Sequence, residues 1–172
     1  LQQLAEENKQ NVLTADIDHF WMAFDKLVNC KNYYDSISAI QNYYFDLATN
    51  GFLQFIKVRD LYAPEYLRKL TAEYASYADV RENTYMTKEA LPLIETVFDS
   101  LKIIYPNFKP FQVCFAIGAL RTGGTTTSEF ILIGTELTTT GEKSKIPQRI
   151  KGIVAHEAIH TQQKYVLKPG AV

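Results

Sequence analysis

His156 and His160 stand four residues apart, and Glu157 follows the first of them directly in the segment His156-Glu157-Ala158-Ile159-His160. On a helix this spacing puts both imidazoles on one face, one turn apart. Two neutral imidazole nitrogens can then converge on a single Zn2+ ion, at about 2.0–2.1 Å each. A carboxylate beside the first ligand is a natural general base. It can take a proton from a metal-bound water and later deliver one to a leaving amine. Zinc in such sites lowers the pKa of its water to about 7 and polarises the carbonyl under attack. The pattern therefore points to hydrolysis, with His156 and His160 as metal ligands and Glu157 as the catalytic group. Two competing readings are a surface helix that carries two histidines by coincidence, and a fold that has lost its activity.

The motif needs elements to position it. Pro147 opens a segment containing Ile150, Ile153, Val154 and Ile159, which reads as a helix with or without the histidines. Upstream, Phe111 to Ile117 and Phe130 to Glu136 are rich in β-branched and aromatic residues and read as strands. Arg121 to Thr127, with Gly123-Gly124 at its centre, reads as a loop between them. Gly123 and Gly124 either let a peptide approach the site closely or close a plain hairpin. Arg121 either holds a substrate carboxylate or oxyanion, or is a solvated arginine. The strand at Phe130 to Glu136 either pairs with an added substrate strand or is an ordinary buried strand.

The first two-thirds of the chain reads as helical. Ile17, Phe20, Trp21, Phe24, Leu27 and Val28 recur at three and four and form one apolar stripe. A second helix starts near Ser36 or Ser38, carries Tyr44, and meets a stop signal at Asn50-Gly51. Phe52 to Val58 reads as a further helix. Pro64 suits the first turn of the next, which runs through Tyr66, Leu67, Leu70, Tyr74 and Tyr77. Lys88 to Ile104 forms another, ended by Pro106. The expected class is α+β in a single domain over residues 1–172, helical over 1–106, with a small sheet and the motif helix over 107–172.

A net charge of -1 gives no reason to expect nucleic acid as a partner. No stretch approaches the roughly 20 apolar residues of a membrane helix. Cys30 and Cys114 either pair or are thiols, and the apolar run around Cys114 favours a small buried hydrophobe there.

Ile153 to His160 resembles the active-site helix of the zincin metallopeptidases. Gln163 stands where the metzincin branch has glycine and no third histidine follows, so the segment is similar to the gluzincin-type branch. More loosely, Phe115-Ala116-Ile117-Gly118, Thr122-Gly123-Gly124-Thr125, Ile133-Gly134-Thr135-Glu136 and His156 to Gln163 resemble predicted zinc-dependent proteases and lipoproteins of bacterial envelopes. The resemblance implies a zinc-dependent peptidase acting on a peptide or protein substrate, in the cell envelope or secreted. It also implies a small sheet before the motif helix, with an edge strand that binds substrate. A non-catalytic zincin-like envelope protein that binds a partner is the alternative.

In the gluzincin-type branch the third ligand is usually a glutamate on a later helix. Here no Asp, Glu or His follows His160, and the chain begins at Leu1 rather than Met. Truncation at both ends is the expectation, with the third ligand beyond Val172. The upstream alternatives are Glu136 and Glu129, which read as surface groups at strand ends, and His19, which reads as packing on its helix or facing solvent.

Overall fold

The computed structural model describes residues 11–105, 107–108, 111–120, 122–127 and 129–162. Its class is α+β, as expected: mainly helical, with a small four-stranded sheet. Strand β1 (Val12–Leu13) leads into α1 (Ala15–Leu27). Then come α2 (Tyr33–Ile40), continued by a turn of π-helix at Gln41–Phe45, α3 (Asn50–Arg59), α4 (Ala63–Ala72) and α5 (Tyr74–Thr84). A 3-10 segment (Tyr85–Ala90) opens into α6 (Leu91–Ile104). Strands β2 (Gln112–Ala116), β3 (Gly124–Thr126) and β4 (Phe130–Gly134) follow, then one-turn α7 (Thr135–Thr138), a 3-10 turn at Lys143–Lys145, and α8 (Ile146–Gln162).

The sheet order is β1-β2-β4-β3, with β1, β2 and β4 parallel and β3 antiparallel at one edge. Every residue of β4 is buried. Successive side chains point to opposite faces, so the sheet is covered on both sides. Helices α1 and α3 pack on β2, α3 also meets β4, and α8 packs on β3 and β4. The apolar density of Phe130 to Ile133 thus reports a central strand. Of the two readings of this strand, the ordinary buried strand holds and the substrate-pairing edge does not: β1 and β3 are the edges, and part of the predicted Gly-Gly loop is β3.

The helical part is closed by an aromatic cluster. Ile17, Phe20, Trp21 and Phe24 of α1 face inwards, whereas Val28, placed on the same stripe, is exposed. Leu27 is the last helical residue and Val28 only caps the helix, so the stripe ends before it. Tyr44 and Tyr66 pack around Phe20 and one another, Phe52 stacks on Tyr44, and Trp21 Nε1 donates to Thr84 Oγ1 at 2.9 Å. The second helix starts earlier than expected because Asn32 caps it, accepting from the Asp35 N–H at 3.0 Å. The tyrosines from 66 to 77 fall on two helices, broken at Glu73.

Asn50-Gly51 begins a helix rather than ending one. Thr49 is its N-cap, accepting from Phe52 N–H while its hydroxyl donates to the buried carboxylate of Asp16. Gly51 is there for space: a Cβ on it would lie 2.4 Å from Cys114 Cβ and 2.7 Å from its Sγ. Helix α3 can approach β2 only through a bare glycine at this point. Both cysteines are thiols, and Cys114 is buried, its Sγ 3.6 Å from Asp16 Oδ2. Burial pushes the Cys114 thiol well above its ordinary range, with the Asp16 carboxylate adding to the effect. We expect Gly51→Ala to lower the unfolding free energy by about 2–3 kcal/mol through overpacking. Urea denaturation measures this, and an unchanged midpoint would contradict the close packing of α3 on β2.

Candidate metal centre

Helix α8 serves two faces. Ile146, Ile150, Val154 and Ala158 are fully buried, each four residues from the next, and dock the helix on the sheet and on α6. At about 100° per residue, positions two away from that stripe point outwards. His156 is such a position and is exposed, with His160 partly so. Glu157, next to Ala158, sits on the flank that meets β3.

The two imidazoles are brought together. Their Nε2 atoms are 3.0 Å apart and the rings stand at 82°. Two nitrogens each about 2.05 Å from one tetrahedral ion would be about 3.3 Å apart, so the pair fits a shared Zn2+ with a small adjustment. Among the described residues no third His, Cys, Asp or Glu joins them in a group of three. The described residues therefore present two convergent imidazoles and an adjacent carboxylate.

Glu157 lies flat against the edge strand. A Cβ on Gly124 would fall 2.8 Å from Glu157 Oε1 and 3.1 Å from its Cδ. The missing side chain at Gly124 makes room for the carboxylate. Gly123 O accepts from Gly134 N, and Thr127 N donates to Phe130 O, so residues 123, 125 and 127 turn their backbone groups to β4. Gly124 and Thr126 turn theirs outward, at the rim of the motif.

A cleft of about 490 Å3 runs between these elements, lined by Gly123, Gly124, Arg149, Gly152, Ile153, His156 and Glu157. Gly123, Gly124, His156 and Glu157 are thus brought together as the sequence predicts. Arg121 lies outside the described residues. Arg149 is in the cleft although the sequence reading did not single it out. The signal was available: Arg149 is seven residues before His156, two turns away on the same helix face.

The strand that leads into the cleft is aimed by a buried turn. Ile117 bonds Tyr44 on both sides, its carbonyl accepting from the hydroxyl at 2.7 Å and its N–H donating to it at 2.9 Å. Tyr66 Oη donates to the same carbonyl at 2.9 Å. Ala119 and Leu120 both have φ of 56°, a left-handed pair without glycine. Glu136 Oε1 accepts from Gly118 N–H at 2.9 Å and Leu120 N–H at 2.8 Å. Glu136 is only 2% exposed, which corrects its reading as a surface group. Its role is to hold this turn, whereas Glu129 is exposed as expected. His19 stays on α1, its Nδ1 3.7 Å from Asp16 Oδ1, and does not join the histidine pair.

Comparisons with protein-family models, with curated proteins and with solved structures find no match for this chain.

Burial raises the Glu136 carboxyl from 4.5 to about 7, against the pull of the Gly118 and Leu120 N–H groups. The protonated form is therefore the one the fold prefers. Its contribution is complete below pH 4.5 and is lost as pH rises through about 7. The pH dependence amounts to about 3 kcal/mol. Urea unfolding between pH 4.5 and 8 should show stability falling with pH. Glu136→Gln, which keeps the Oε1 acceptor and cannot ionise, should flatten that dependence. An unchanged slope in the variant would rule Glu136 out as its source.

Proposed function

We propose that this chain carries the catalytic helix of a zinc-dependent peptidase. The observation that carries the reading is the convergence of His156 Nε2 and His160 Nε2 to 3.0 Å, with Glu157 laid against an edge strand one residue away. A zinc ion held by the two histidines supplies Lewis-acid polarisation of the scissile carbonyl and an acidified water. The other parts belong to the chain itself. Glu157 Oε1 faces the cleft from the helix flank and takes the proton of the attacking water. The same oxygen then returns a proton to the amine nitrogen as it leaves. The outward Gly124 N–H and the outward backbone groups of Thr126 offer a substrate main chain the pairing of an added strand, Gly124 O already accepting from Thr122 Oγ1 at 2.8 Å, and this sets an extended peptide alongside Glu157. Gly123 and Gly124 keep that approach free of side chains.

The second reading is a zincin-like protein that binds a partner without cleaving it. It is favoured by the ligand count, since the described residues bring only two ligands together. It differs in outcome: zinc-loaded protein would then bind a partner saturably with no hydrolysis of a broad peptide mixture.

Glu157→Gln should retain bound zinc and lose about 10²–10⁴-fold in hydrolysis. His156→Ala should lose the metal itself. Metal analysis paired with a peptide-cleavage assay reads both. If Glu157→Gln cleaves as fast as the parent, the mechanism is wrong. Gly124→Ala tests the positioning of the base. The added methyl must push the flexible Glu157 carboxylate aside, so the protein should fold normally while activity drops about 10²-fold. Parental activity in that variant would show that Glu157 does not need its place against β3.

A further inference from the structure

The cleft has two chemically distinct ends. His156 and Glu157 stand at one and Arg149 at the other, with Gly152 between them on the same helix face. A Cβ on Gly152 would meet no atom within 4 Å, so the helix presents an open floor from one end to the other. Arg149 is partly buried, and its Nη1 donates to the carbonyl oxygens of Thr138 at 3.3 Å and Thr140 at 2.5 Å. Those contacts anchor the guanidinium to the loop after α7. Among the described residues no carboxylate pairs with it. Carbonyl oxygens satisfy hydrogens but do not neutralise charge, and Nε and Nη2 retain donors in the fork geometry that suits a carboxylate.

The spacing along the helix sets a ruler. Seven residues of α8 separate Arg149 from His156, about 10 Å along the axis. An extended peptide advances about 3.3 Å per residue, so that length is about three residues. We propose that the cleft selects peptides carrying a carboxylate about three residues from the bond to be cleaved, with Arg149 as the residue that recognises it. This assignment rests on the peptidase reading of the same cleft. The carboxylate comes either from an acidic side chain or from a peptide C-terminus, since the guanidinium reads the same group in both. Arg149 is then a specificity residue at the far end of the site, in the role that Arg121 was a candidate for from sequence.

The test uses zinc-loaded protein and short apolar dansyl-labelled peptides. A single Glu is walked through the positions, each peptide has a Gln twin, and each is made with a free and with an amidated C-terminus. The expected result is one position, or the free terminus, at which the carboxylate binds about tenfold tighter than its amide. In Arg149→Gln that preference should fall to about twofold or less, and Arg149→Lys should restore part of it. A general disturbance of the loop would weaken acid and amide alike and leave their ratio unmoved. The proposal is overturned if no carboxylate position is preferred, if the preference survives Arg149→Gln, or if no peptide binds saturably. Hydrolysis followed on the same peptides separates the two ideas. Charge-selective binding without cleavage sinks the peptidase reading and leaves the role of Arg149 intact; cleavage without charge selectivity does the reverse.

Discussion

Where β2 ends, Ile117, Gly118 and Ala119 turn inside the protein, and their backbone groups have no water to bond. An unpaired buried N–H or C=O costs about as much as a lost hydrogen bond, so each must find a partner. Tyr44 and Tyr66 reach across from the helical part to meet Ile117, and the carboxyl of Glu136 meets Gly118 and Leu120. These three side chains tie the aromatic core, the sheet and the short helix after β4 to one point. They also hold Ala119 and Leu120 in a left-handed conformation that costs on the order of 1–3 kcal/mol per residue. The return for that cost is direction: the chain is re-aimed so that Gly123 and Gly124 arrive beside the motif helix as an edge strand.

Helix α8 meets that strand with a divided surface. Its four-residue repeat of Ile146, Ile150, Val154 and Ala158 is committed to the core. The histidines fall on the outward side, and Glu157 falls on the flank between. A single element thus fixes the two histidines through the same packing that stabilises the domain. Rotating the helix by about half a turn would bury the histidines and expose the isoleucines. Glycine completes the arrangement at two places for different reasons. Gly51 lets α3 press against β2, and Gly124 leaves room for the Glu157 carboxylate.

The electrostatics of the cleft follow from the same division. Glu157 brings a carboxylate to one end, and Arg149 brings to the other a cation whose hydrogen bonds, among the described residues, go to backbone carbonyls. The two groups stand about two turns of helix apart, a separation set by the rise of the helix itself. The parallel strands behind it, buried on both faces, give that helix a rigid support.

Much of this was legible in the residues. The class, the helix at Ile146–Gln162, the strands at Gln112–Ala116 and Phe130–Gly134, and the proline at the start of α4 follow from local pattern, because periodicity and turn chemistry act over a few residues. The histidine spacing belongs to the same level: i, i+4 on any helix puts two rings together. What periodicity could not decide is which strand stands at the edge, because a buried run looks the same wherever it pairs. It also could not tell that Gly51 lies inside a helix that Thr49 caps, because what requires a glycine there is Cys114, on a strand far along the chain. Nor could it show that Glu136 is buried, because the groups that satisfy it belong to a turn built by other contacts. The pairing of Arg149 with the loop carbonyls is of this second kind too. The sequence by itself determined the class, most of the elements and the i, i+4 spacing of the two histidines. Only the tertiary structure decided which backbone lies beside Glu157 and which charge shares its cleft, because those depend on long-range packing that local pattern does not encode.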